Sequence, residues 1–229
     1  NTFSLFWIDM MHDYWRLRSD DAFLRARLTG LQAVLAWFEQ RIDPQTGMLG
    51  PLSYWTFVDW ADPWAWDSGL GIGGEPPGAH TGGSSIVTLQ YAGTLRHAAE
   101  LCRALERTDL ATHYEKTATD LCTATNRLCW DKDRRLYADT PQHKIFSQHA
   151  DVMAGLAGAV TGEAARDVMT RVADDQSLTQ ATTYFRFYLL RAMKAAGLGD
   201  QYVARLGPWR TMLDLGLTTF AVKPDPTRS

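Results

Sequence analysis

The sequence predicts an all-α fold of helical hairpins, closed as an α-toroid or extended as an α-solenoid. Nearly every periodic stretch repeats its apolar residues at steps of three and four, the helical period. A weak internal repeat relates Ala104-Leu105-Glu106-Arg107-Thr108-Asp109…Tyr114 to Ala196-Gly197-Leu198-Gly199-Asp200…Tyr202. In each copy a helix ends, an Asp follows to cap its successor, and an aromatic comes next. Hairpins repeated in this way, with their loops gathered at one end, build toroids and solenoids alike.

The elements follow in order. Phe3, Phe6, Trp7, Met10, Tyr14 and Leu17 define a first helix from about Thr2 to Arg18. Ser19-Asp20-Asp21 caps a second, Ala22 to Gln40, with Phe23, Leu24, Leu28, Leu31, Leu35 and Phe38 facing inward. Asp43-Pro44-Gln45-Thr46-Gly47 is a turn. A long Trp/Gly-rich loop follows, from about Met48 to Gly83. A loop of this length in a compact domain is functional or disordered, and Trp55, Trp60, Trp64 and Trp66 argue against disorder. Ser84 or Ser85 caps the next helix, to about Glu106, and Thr108 or Asp109 starts another that reaches Cys129. Asp131 to Asp139 reads as a tight turn between short extended pieces. Further helices are expected near Phe146–Val160, Gly162–Ala173, Thr179–Ala196 and Gly199–Leu215, with Pro208 kinking or dividing the last.

Composition narrows the function class. With 229 residues the chain can bury a sizeable core, and it is expected to form a single partial domain over residues 1–229. Its net charge of −3 and pI near 6.1 point away from nucleic acid and anionic membranes as partners. No run of about 18 apolar residues suggests a membrane span. Cys102, Cys122 and Cys129 are expected as buried thiols. Neither a metal nor a cofactor is expected: no His/Cys ligand spacing occurs, no acidic calcium loop, and no phosphate-binding Gly loop. The chain opens at Asn1-Thr2-Phe3-Ser4, without Met, and is expected to begin mid-protein, which leaves export unassigned. Nine Trp stand out, since aromatic faces stack on the apolar faces of sugar rings and also fill cores.

Three segments are candidates for chemistry. In Phe57-Val58-Asp59-Trp60-Ala61-Asp62-Pro63-Trp64-Ala65-Trp66-Asp67 three carboxylates alternate with three indoles. Asp59, Trp60, Trp64 and Trp66 therefore form a candidate carbohydrate-binding set, carboxylates taking hydroxyls and indoles stacking. The alternative is that the indoles plug the end of a helical bundle while the acids cap turns. Phe146-Ser147-Gln148-His149-Ala150-Asp151 starts a helix, with Ser147 as N-cap and Gln148 and His149 as candidate pocket residues. As an acid or base His149 needs an acidic partner. Asp151 is too close in sequence to face it, and Asp139 is an alternative. The aromatic run Thr182 to Tyr188 holds Arg186 and reads as core packing, or as an arginine placed to orient a carboxylate.

Five blocks together resemble the bacterial α-L-rhamnosidases of glycoside hydrolase family 78. They are Thr2-Phe3-Ser4-Leu5 with Asp13-Tyr14-Trp15; Val58-Asp59-Trp60; Phe146 to Ala150; Thr183 to Tyr188; and Gly197-Leu198-Gly199-Asp200 through Thr219-Phe220. The resemblance implies an (α/α)6 barrel, incomplete in this chain, and inverting hydrolysis of terminal α-L-rhamnosides, with a rhamnoside as ligand. It also implies that the family's general base falls in the block G-L-T-T-F-x-E. Here Gly216-Leu217-Thr218-Thr219-Phe220 fit, and Val222 holds the acid position. The family's general acid lies upstream of the matched region and its closing helices lie downstream. The expectation is thus of weak or no hydrolysis by this chain alone, with the rest of the same protein, or a partner chain, completing the barrel. Two other classes stay open: a non-catalytic carbohydrate-binding or interaction protein on the same scaffold, and another α-toroid enzyme, a lyase or epimerase.

Overall fold

A computed structural model describes residues 1–64 and 73–221. Trp66 and Val222 lie outside the described residues. The helices are α1 (Thr2–Arg18), α2 (Asp21–Arg25), α3 (Leu28–Glu39), α4 (Ser85–Ala104), α5 (Thr108–Cys129), α6 (Gln148–Ala157), α7 (Gly162–Val172), α8 (Arg186–Ala195) and α9 (Gly207–Asp214). Two-residue strands β1 (Trp130–Asp131) and β2 (Leu136–Tyr137) pair antiparallel across the turn that follows α5.

The helices form an arc of hairpins. α1 packs on α4, α4 on α6, and α6 on α8, while α3 backs α1, α5 backs α4 and α7 backs α6. This is the inner-and-outer layering of a helical toroid. α4 shows why the inner row is continuous. Its Ile86, Leu89, Tyr91, Leu95, Ala98 and Leu101 are buried on all sides, the pattern of a helix with neighbours all round rather than one apolar stripe. The outer helix α7, by contrast, buries one row, Ala165, Val168, Met169 and Val172. Phe6 of α1 stacks on Tyr188 of α8, with centroids 5.7 Å apart. Cys102, Cys122 and Cys129 are buried free thiols.

Several boundaries depart from the sequence reading. The expected Ala22–Gln40 helix is broken at Ala26–Arg27. Arg27 lays its guanidinium over the Phe23 ring at 3.6 Å and donates to the Phe23 carbonyl at 3.1 Å, so the side chain supports the break. Asp20 caps α2 as expected, accepting from Phe23 N at 2.9 Å. Ser85 is not a cap: its hydroxyl donates to the Ala138 and Asp139 carbonyls, tying the start of α4 to the segment after β2. Pro208 divides the last expected helix, with two short 3-10 turns (Gly199–Gln201 and Val203–Leu206) before it and Pro in the first turn of α9.

Candidate functional site

The site is built where the long loop crosses the start of α6 and the segment before α8. The loop is held open by its own polar groups rather than by regular structure. Thr56 N donates to Glu75 Oε1, and Glu75 Oε2 meets His80 Nε2 at 2.9 Å. Trp55 Nε1 donates to Gly73 O at 2.8 Å. Val58 N and Asp59 N both donate to Gly74 O, at 2.8 and 3.2 Å. Gly74 has φ +68°, and a Cβ there would meet Phe57 Cε2 at 2.6 Å and Asp59 O at 2.8 Å. Only glycine fits this crossing without displacing the backbone that carries Asp59.

Asp59 is fully enclosed, and both its oxygens are occupied. Oδ1 accepts from Trp60 N at 2.9 Å and from the Thr182 hydroxyl. Oδ2 accepts from Thr182 N at 2.9 Å and meets His149 Nε2 at 2.7 Å. A carboxylate already taking two backbone N–H groups and a hydroxyl takes the fourth contact as an acceptor too, which places the imidazole proton on Nε2. The His149 ring lies between Trp64 and Phe185, with centroids 4.4 and 4.3 Å away. Burial pushes the imidazole pKa down, against the opposing pull of Asp59, and so favours the neutral ring. His149 thus has its acidic partner in Asp59. Asp139, the alternative expected from sequence, instead accepts from the Ser147 hydroxyl at 2.7 Å.

The other predicted residues divide between cleft and scaffold. Gln148 is buried and engaged at both ends: Nε2 donates to Val172 O and Oε1 accepts from Ala181 N, each at 2.9 Å. Ser147 caps α6 as expected, accepting from Ala150 N at 3.4 Å. Trp64 is 6 % exposed. Trp60 is half-buried and belongs to a partly open aromatic wall. Phe57 lies 5.0 Å from Trp60, 5.4 Å from Trp55, 5.7 Å from Phe3 and 6.2 Å from Tyr184. Trp55 and Phe3 are 37 and 52 % exposed, so the wall has a face toward solvent. Arg186 is half-buried and donates to Ala181 O at 3.4 Å.

Thr182 opens the third candidate segment, but the sequence reading gave it no role; it supplies two of the four bonds to Asp59 from 123 residues away. A second hollow, about 910 Å³, lies between α8 and α9 and is lined by Phe187, Leu190, Leu198, Trp209, Leu213 and Phe220 among others. Its apolar lining suits a helix or a hydrocarbon better than a hydroxyl-rich sugar.

Residues 2–221 match the family model described as the bacterial alpha-L-rhamnosidase 6 hairpin glycosidase domain. A family 78 rhamnosidase from Bacillus sp. GL1 superposes with a TM-score of 0.79 at 20% identity, covering 96% of this chain and 24% of its own. A Klebsiella oxytoca rhamnosidase solved with rhamnose bound gives 0.73 at 20% identity, covering 97% of this chain and 39% of its own. The chain therefore spans between a quarter and two fifths of these similar structures. No curated protein matches.

Proposed function

Since the chain belongs to the bacterial α-L-rhamnosidase six-hairpin glycosidase family, we propose that it is the sugar-facing part of a domain that recognises terminal α-L-rhamnosides, with impaired activation of water. Trp60 carries the reading. Trp60 is half-buried beside Trp55 and Phe57, with Tyr184 on Phe57, a wall on which the apolar face and methyl group of a 6-deoxy sugar stack. Asp59, His149 and Gln148 stand behind that wall. Asp59 and Gln148 have both polar side-chain atoms bonded to protein, and His149 is bonded through Nε2 while its Nδ1 is buried without a partner among the described residues, so they hold the site rather than touch the ring.

In inverting glycoside hydrolysis one carboxyl protonates the leaving oxygen and a second activates water from the opposite face. On this reading Val222 occupies the second position, and its isopropyl group neither takes nor gives a proton. Loss of that base alone lowers turnover by about 10²–10⁴-fold. Val222 also favours a second reading, a scaffold that binds the sugar without hydrolysing it.

The rhamnosidase reading also gives the apolar edges a use. Met10 and Leu17 on α1 are 68 and 83 % exposed, and the hollow between α8 and α9 has an apolar lining. These edges seat the remaining hairpins of the barrel, from the same polypeptide or from a partner chain.

Calorimetric titration of the full-length protein with L-rhamnose tests the carbohydrate assignment. The expected result is saturable binding that weakens about tenfold or more in Trp60→Ala. Equal affinity in that variant removes the wall from the sugar site, and no binding by the parent protein sinks the carbohydrate reading.

A further inference from the structure

Four hydrogen bonds on one enclosed carboxylate are more than a loop residue needs for solubility or capping. They join three separate segments: the loop at Asp59–Trp60, the first turn of α6 at His149, and Thr182 ahead of α8. Trp60 is the covalent neighbour of Asp59, and its own backbone N–H is one of the four donors. The bond to His149 is buried on both sides, at 0 % exposure. Phe185 and Trp64 clamp the imidazole, so the ring has little freedom to leave the carboxylate. Among the described residues every other donor to Asp59 belongs to Thr182 or Trp60, so among them His149 alone fixes the carboxylate to the inner row of helices.

We propose that His149, through Asp59, is a positioning residue that sets the Trp60 indole in the aromatic wall, with Thr182 as the second anchor. This rests on the reading of that wall as the sugar-facing surface. The imidazole serves as a neutral donor from Nε2. It neither exchanges a proton with substrate nor touches it. Removing the donor leaves a buried carboxylate with one bond fewer, and the backbone at Trp60 gains freedom that the loop otherwise lacks.

The test uses the full-length protein and three variants. His149→Phe keeps an aromatic ring between Trp64 and Phe185 but removes the donor. His149→Gln restores an N–H near the same place. Thr182→Val removes one hydroxyl at nearly constant volume. The first readout needs no ligand: acrylamide quenching of Trp60 fluorescence, isolated as the difference from Trp60→Phe made in each background. The expected result is greater quenching of Trp60 in His149→Phe, recovery in His149→Gln, and an intermediate rise in Thr182→Val. The second readout is L-rhamnose affinity. His149→Phe is expected to lose about tenfold, and to lose nothing further once Trp60 is already Ala, because coupled residues are not additive.

Unchanged quenching of Trp60 in a folded His149→Phe protein overturns the proposal. So does a loss of affinity that multiplies in full with that of Trp60→Ala. Where His149→Phe does not fold, Thr182→Val decides by the same two criteria. Changed quenching without any rhamnose binding by the parent protein confirms the positioning of Trp60 and overturns the sugar assignment, so the two failures are distinct.

Discussion

Single residues set the polar balance of this protein. Asp139 is buried, with the Ser147 hydroxyl on one oxygen, and its other oxygen has no hydrogen-bond partner among the described residues. Burial pushes its pKa from 3.8 up to about 6. The folded state therefore holds the proton more tightly than the unfolded chain. That contribution to stability is fully present below the ordinary carboxyl value and is lost as pH rises through about 6. His149 has the opposite sign: its depressed pKa costs stability as pH falls below the ordinary imidazole value. Comparing the parent protein with Asp139→Asn isolates the first effect. Between roughly pH 7 and pH 5 the parent should gain about 1 kcal/mol on the variant in urea unfolding. Parallel pH curves would remove Asp139 from the account. Gly74→Ala should cost about 1–3 kcal/mol, through its left-handed φ and the contact with Phe57. Near-UV circular dichroism should report it first, as loosening of the aromatic wall. An unchanged spectrum and melting point would mean that the Asp59 crossing tolerates a side chain.

At the scale of elements, the test case is the start of α6, where one hydroxyl serves two purposes. Ser147 accepts from Ala150 N and donates to Asp139. Ser147→Ala should lower stability by about 1–2 kcal/mol in denaturant melts. It should also raise the Asp139 pKa, since it removes a bond that holds that value down. A melt within error of the parent would show that the cap is idle. Helical periodicity made most elements legible, and α1, α4, α5 and α7 lie close to their expected bounds. It failed where tertiary bonds took the backbone away from a helix. The expected helix from Thr179 begins only at Arg186. Thr179 exchanges backbone bonds with Phe146 and Gln148, Ala181 N goes to Gln148 and Thr182 N to Asp59. The site was legible as letters but not as pairs. Asp59, Trp60, Gln148 and His149 stood out by residue type. That Asp59 meets His149 across 90 residues, and that Gln148 is engaged by backbone, are products of the folded chain that no local pattern encodes.

At the scale of the molecule, the chain is an arc of a helical toroid whose inner row runs α1, α4, α6, α8. Similar solved structures extend well beyond it, the chain covering 24% and 39% of two of them. If the outer face of α1 seats a further helix, Met10→Glu in the full-length protein buries a charge. It should then lower stability by about 2–3 kcal/mol or more. No change in melting temperature would place that face in water. The scaffold is that of the bacterial α-L-rhamnosidase six-hairpin family; that its aromatic wall takes the sugar and that Val222 leaves water unactivated are proposals. Hydrolysis of an aryl α-L-rhamnoside by the full-length protein and by its Val222→Glu variant measures the second directly. The account predicts weak or undetectable turnover in the parent and a rise of about 10²-fold or more in the variant. Turnover by the parent at the rate of an ordinary glycosidase, unchanged by the glutamate, would contradict it.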